Sequence, residues 1–132
     1  MAGPQVETAN GRIEGRREAD ISSFLGIPYA APPTSERRFR PPEAPASWSG
    51  VAPATEFGSI AMQLVGGRAS ALGGGPQLSA DEDCLTLNVW TPGPDGARPV
   101  LVWLHGGDTA SGARRGTSTT VPTWLAETTP WW

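Results

Sequence analysis

Val100-Leu101-Val102-Trp103-Leu104 is an unbroken apolar run, closed by Pro99 on one side and by His105-Gly106-Gly107 on the other. No other segment restricts the fold as tightly. A short run of this kind reads as a strand buried on both faces, and such a strand needs neighbours along its edges and cover above and below. Upstream, Leu85 to Trp90 alternates, with Leu85, Leu87 and Val89 against Thr86 and Asn88. That pattern predicts a strand with one wetter face. Pro92-Gly93-Pro94-Asp95-Gly96 between the two reads as a turn, because proline presets φ and glycine supplies the conformations that other residues avoid.

The rest of the chain is less regular. At 132 residues it is the size of one ordinary domain, large enough for a modest core. Its 17 glycines and 14 prolines make up close to a quarter of the residues, which predicts long stretches without regular structure. Val6 to Ile13 predicts a short β-hairpin turning at Asn10-Gly11. Asp20 to Leu25 predicts a strand closed by Gly26. Ile27 to Pro33 is predicted to be neither helix nor central strand, since proline lacks an amide hydrogen and constrains its predecessor. The proline-rich stretch from Pro41 to Pro53 predicts extended surface coil, and Gly66 to Ser79 a mobile glycine-rich loop. Its Gly73-Gly74-Gly75 lacks the Gly-Lys-Ser/Thr ending of a phosphate-binding loop. After Gly107 the pattern collapses: residues 108 to 123 hold almost no large apolar group. No internal repeat is visible.

A formal charge of −3 leaves no basic footprint for nucleic acid and no polybasic patch for a membrane. The apolar runs are too short to span a bilayer. The first residues, Met1 to Glu7, lack the charged and then apolar regions of a secretory signal. A single cysteine, Cys84, excludes an intrachain disulfide. A cytoplasmic location is the default expectation.

An ordered series of short motifs runs through this sequence. It comprises Phe24-Leu25-Gly26-Ile27-Pro28-Tyr29-Ala30, Pro32-Pro33, Arg38-Phe39, Pro41-Pro42, Trp48-Ser49-Gly50-Val51, Ala54-Thr55-Glu56-Phe57-Gly58 and Gln63. Glu82-Asp83-Cys84-Leu85-Thr86-Leu87-Asn88-Val89-Trp90-Thr91-Pro92 and His105-Gly106-Gly107 follow. In order and spacing the series resembles the N-terminal part of the type-B carboxylesterases, over roughly residues 6 to 112. The resemblance implies an α/β fold: the β-rich N-terminal portion of an α/β-hydrolase, incomplete, with much irregular coil. It also implies cleavage of small-molecule carboxylic esters through a serine acyl-enzyme, with no cofactor and no metal. The serine would sit on a Gly-x-Ser-x-Gly elbow and be served by a Glu/Asp-His pair.

Set against that mechanism, the catalytic inventory is empty. No Gly-x-Ser-x-Gly occurs, and the one histidine, His105, belongs to the loop motif. A serine nucleophile needs a base within hydrogen-bond reach and a third group to orient that base. The resemblance implies an oxyanion-hole loop at Gly106, Gly107 and Asp108, with donor amides at the last two. Glycine suits such a loop because the amides must approach the oxyanion closely. The family places Gly or Ala where this chain has Asp108, and a carboxylate there works against a developing negative charge.

The resemblance further implies a structural ion pair between Arg38 and Glu82, two solvated charges being the plainer alternative. Glu82 and Asp83, if both on a strand, point to opposite faces and do not share a proton. In secreted relatives the cysteine at position 84 can join an upstream cysteine just before a glutamine. Here Ala61 and Met62 precede Gln63, so Cys84 reads as a small buried residue. The six tryptophans read as core positions in preference to a ligand platform.

The tail is consistent with a shifted reading frame. Tryptophan has one codon, so reading Trp131-Trp132 one base back forces a valine at their junction. The same shift permits Asp-Asp-Ala-Val-Val at the end, Tyr-Asp-Gly from Ser118-Thr119-Thr120-Val121, and Gly in place of Asp108. The expectation is therefore two segments: residues 1–113, an N-terminal part of a carboxylesterase domain, and residues 114–132, an aberrant, poorly ordered tail. Three functional readings follow. The chain is a truncated carboxylesterase-type hydrolase inactive alone, a non-catalytic binding module derived from it, or a non-functional product of a disrupted gene.

Overall fold

The computed structural model describes residues 2–63 and 79–104. Six strands and one 3₁₀ turn make two three-stranded sheets. β1 (Gln5–Thr8) and β2 (Gly11–Glu14) form an antiparallel hairpin, and β5 (Val51–Pro53) adds to β2 in parallel. The second sheet has the order β3 (Arg16–Glu18), β4 (Ile21–Pro28), β6 (Thr86–Thr91), antiparallel throughout. The 3₁₀ turn spans Ser35–Arg37.

The hairpin forms where the alternation places it, but its turn falls one residue early. Ala9 and Asn10 make the turn, and Gly11 already pairs with Thr8. Thr8 Oγ1 donates to the Gly11 carbonyl at 2.7 Å, closing the loop from its side. Gly11 has φ +146, and a Cβ there would meet the Trp48 indole at 2.6 Å. The glycine is thus demanded by close approach of an aromatic ring as well as by backbone sign. Glu7 and Arg12, opposite each other in register, pair at 3.0 Å across the ladder.

Trp48 also explains why the proline-rich stretch is not free coil. Its indole donates to the Arg12 carbonyl at 2.8 Å, and its own amide donates to Asn10 at 2.9 Å. Asn10 Nδ2 in turn donates to the Pro45 carbonyl at 3.0 Å. Pinned this way, Val51–Pro53 becomes a strand, which corrects the expectation of coil up to Pro53. Proline is tolerated there because β5 is an edge strand, with a neighbour on one side only among the described residues.

Ala54 joins the two sheets. Its amide donates to Glu14 at 2.7 Å, and its carbonyl accepts from Leu25 at 2.9 Å. Ile13, Phe24 and Ala54 form the buried cluster, with Val6, Ile27, Trp48 and Ala52 packed on it. The core therefore lies between β2, β4 and β5. β3 pairs with the start of β4 through Arg16↔Ser23, Arg17↔Ser22 and Glu18↔Ile21.

The strand predicted to stop at Gly26 instead continues to Pro28. Gly26 sits at a break in the β4–β6 register, between Phe24 and Ile27, with φ +67. It is a bulge within the strand, not its end. Pro28 pairs with Thr86, beyond the residues that β3 reaches, so one side of β4 has no partner there among the described residues. That is where a missing N–H costs least.

β6 matches the predicted strand to within one residue at each end, but its faces are reversed. Leu87 and Val89 are about 40% exposed, while Thr86 and Asn88 are half-buried. The polar residues face the Gly26 bulge and Gly58, where hydrogen-bonding partners and small neighbours accept them. The larger departure is Val100 to Leu104. These residues form no strand and are 64% to 84% exposed. A strand forms by pairing, and this run pairs with none of the described strands. Glu82 and Asp83 also lie outside any strand. The Gly66 loop (except Ser79), His105 with Gly106, Gly107 and Asp108, and the tail from 114 fall outside the described residues.

Candidate functional site

Arg38 and Glu82 meet, although 44 positions separate them in the chain. Two local turns bring them together. On the Arg38 side, the Arg37 amide donates to Thr34 at 3.0 Å and the Arg38 amide to Ser35 at 3.3 Å, forming the 3₁₀ turn. Arg37 Nε is held by Glu43 Oε2 at 2.8 Å, and the Glu43 carbonyl accepts from Ala31 at 2.9 Å. These contacts fold the leader back on itself. On the Glu82 side, Ile60 and Ala80 form an isolated bridge, and Asp83 N donates to Asp81 Oδ1 at 3.0 Å. Cys84 N donates to the Glu82 carbonyl at 3.0 Å, and β6 begins two residues later.

The contact runs from Arg38 Nη2 to Glu82 Oε1. It is not buried: the two side chains are 57% and 39% exposed. A pair this wet gains little net energy, because water screens the attraction and holding two long side chains costs entropy. It orients the leader against the entry to β6 and adds little stability. Phe39, the next residue, has φ +57 and a fully exposed ring, an uncommon conformation for a bulky residue.

Around the pair lies an open hollow of about 330 Å³, lined by Pro33, Arg38, Phe39, Met62, Asp81, Glu82 and Cys84. Its one potential nucleophile is the Cys84 thiol. Cys84 is only half-buried, which corrects the expectation of a core residue. Burial, with the charges of Asp83 and then Asp81 adding, pushes the thiol above its ordinary pKa. A thiol shifted that way stays protonated at neutral pH and reacts slowly. No histidine lies among the described residues to activate it. Nor do these residues contain a group of His, Cys, Asp and Glu able to hold a metal ion. Ser22, fully buried on β4, accepts from Arg17 Nη1 at 3.3 Å and has no access to a substrate.

Two residues with clear structural work were not visible as such in the sequence. Asn88 Oδ1 accepts the Gly26 amide at 2.9 Å and so satisfies the bulge. The available signal was a lone glycine inside an apolar run, which marks a bulge in need of a partner. Trp48, through its bond to Arg12, is the second. Phe57 and Trp90 stack at 6.4 Å between ring centroids, tilted by 47°, carrying the segment after β5 against β6.

Comparison with known proteins puts this arrangement in context. The profile of the Carboxylesterase family matches residues 2–128, and so runs past the boundary expected at 113. Phenmedipham hydrolase of Pseudarthrobacter oxydans is 44% identical over 112 residues, covering 83% of this chain and 23% of that protein. The carboxylesterase of Geobacillus stearothermophilus superposes with a TM-score of 0.64 at 46% identity, over 78% of this chain and 19% of its own. A thermophilic PNB esterase gives 0.75 at 36% identity, over 83% and 22%. The chain thus spans about a fifth of the length of these relatives. The two small sheets are the N-terminal, β-rich part of their α/β-hydrolase fold, and the chain belongs to the carboxylesterase family.

Proposed function

We propose that this chain supplies the N-terminal part of a carboxylic-ester hydrolase and does not hydrolyse esters by itself. The observation that carries the reading is a family match over residues 2–128 in a sequence with no Gly-x-Ser-x-Gly and one histidine. The substrate class of the parent fold is a small carboxylic ester, attacked by a serine supplied from elsewhere in the fold. The role left to this chain is positional. Its Arg38–Glu82 contact holds the leader at the entry of β6. Gly106, Gly107 and Asp108 form the oxyanion-hole loop, with the Asp108 carboxylate opposing the charge that the loop has to stabilise. Residues 1–113 make up the esterase segment, and residues 114–132 are the product of a shifted frame. The cytoplasm is the proposed compartment. No helix among the described residues is long and apolar enough to cross a membrane.

The test is hydrolysis of p-nitrophenyl acetate by the purified chain. The expected rate equals that of a boiled control, because nucleophile and base together supply most of the barrier reduction in such enzymes. Turnover that persists through purification and is abolished by a serine-directed phosphonate would overturn the reading.

A further inference from the structure

Asn10 is the residue at which the β1–β2 hairpin and the proline-rich segment meet. Its amide donates to Thr8 Oγ1 at 3.3 Å, its carbonyl accepts from the Trp48 amide at 2.9 Å, and its Nδ2 donates to the Pro45 carbonyl at 3.0 Å. Gly11 follows it. A glycine there suits the turn. Having no Cβ, it also leaves its own backbone nitrogen open to the side chain before it. The asparagine side chain ends in an amide carbon that such a nitrogen can attack. Asn10 is half-buried, so water reaches it. The chain's other asparagine, Asn88, is followed by the β-branched Val89, whose side chain crowds the same approach.

We propose that Asn10 is a site of spontaneous deamidation that the fold restrains and that, once modified, loosens the segment leading into β5. The Gly11 nitrogen bonds to Asn10 Cγ, and the Cγ–Nδ2 bond breaks. Nδ2 leaves as ammonia, taking up the proton that the Gly11 nitrogen loses. Water, the only co-reactant, then opens one of the two C–N bonds of the cyclic imide. One opening gives aspartate, the other isoaspartate with an extra methylene in the backbone. Ring closure needs the Asn10 side chain to turn onto the following nitrogen, and the bonds to Pro45 and Trp48 oppose that turn. Either product ends in a carboxylate, which accepts hydrogen bonds but donates none. The Pro45 carbonyl then loses its donor and faces a negative charge. Isoaspartate also displaces the carbonyl that holds the Trp48 amide. What remains of the latch is the Trp48 indole bond to Arg12.

The test incubates the purified 132-residue chain in mildly alkaline buffer, with and without urea, and follows the amide-to-acid mass gain by peptide mapping. In urea the Asn10 peptide should convert well ahead of the Asn88 peptide. Gly11→Ala, measured in urea so that folding plays no part, should slow that conversion. Without urea the wild-type Asn10 should convert about tenfold more slowly, the effect of a hydrogen bond or two on local opening. The converted chain, and separately Asn10→Asp, should show hydrogen exchange at the Trp48 amide faster by about the same factor, with the β3–β4 ladder unchanged. Equal Asn10 rates with and without urea would overturn the proposal. So would a rate in urea that Gly11→Ala does not change, conversion of Asn88 alongside Asn10, or a converted chain whose Trp48 amide is as protected as before.

Discussion

The β1–β5 region and the β6–Leu104 region use similar residues to opposite effect. In the first, Ile13, Phe24 and Ala54 are buried by neighbours drawn from within 50 residues of chain, and no buried side-chain polar atom among the described residues lacks a partner. In the second, the continuous apolar run Val100 to Leu104 is 64% to 84% exposed. The difference lies in what each region needs. A hairpin with one parallel addition closes on itself through local turns. A strand apolar on both faces cannot, because it requires two edges and two layers contributed by other segments.

The sharpest way to break this comparison is a matched pair of truncations. Phe24→Ala should cost about 3–5 kcal/mol by opening a cavity in the cluster and should abolish hydrogen-exchange protection of β2 and β4. Val102→Ala, at an exposed position, should change protection by no more than about 0.5 kcal/mol. Equal effects would mean that the two regions do not differ as described.

Gly26→Ala probes the seam between them. At φ +67, and with a Cβ that would lie 2.6 Å from the Glu56 carbonyl, alanine should cost about 1–2 kcal/mol. The loss should appear first as faster exchange at the β4–β6 ladder, with β1 and β2 unaffected. A change of register there would be visible as new cross-peaks between Phe24 and Thr86 protons.

The smallest effect belongs to Arg38→Ala. With both partners largely solvated, its cost should stay below about 1 kcal/mol and shrink further in high salt. A salt-independent loss well above that would show that the leader depends on the pair far more than its exposure indicates.

Much of the fold was legible in the sequence. The period-two pattern over Val6 to Ile13 and over Leu85 to Trp90 located β1, β2 and β6 to within a residue or so, because side-chain alternation is a property of the strand itself. The ordered motifs from Phe24 to Pro92 were enough to identify the carboxylesterase family, since residue identity at fixed spacing survives without coordinates. The Arg38–Glu82 contact was expected only through that resemblance. Nothing local to either residue points across 44 positions.

What only the tertiary structure decided was which face of β6 lies inward, where β4 bends, and that Val51–Pro53 pairs with β2. Alternation states that two faces differ, but it does not say which one meets the core. Here the Gly26 amide needed an acceptor, Asn88 supplied it, and the polar face turned inward. The unbroken apolar run Val100 to Leu104 reads as a demand for cover on both faces, but the strand expected there does not form. Whether that demand is met depends on other segments, because backbone hydrogen bonds in a sheet are made between strands and never within one.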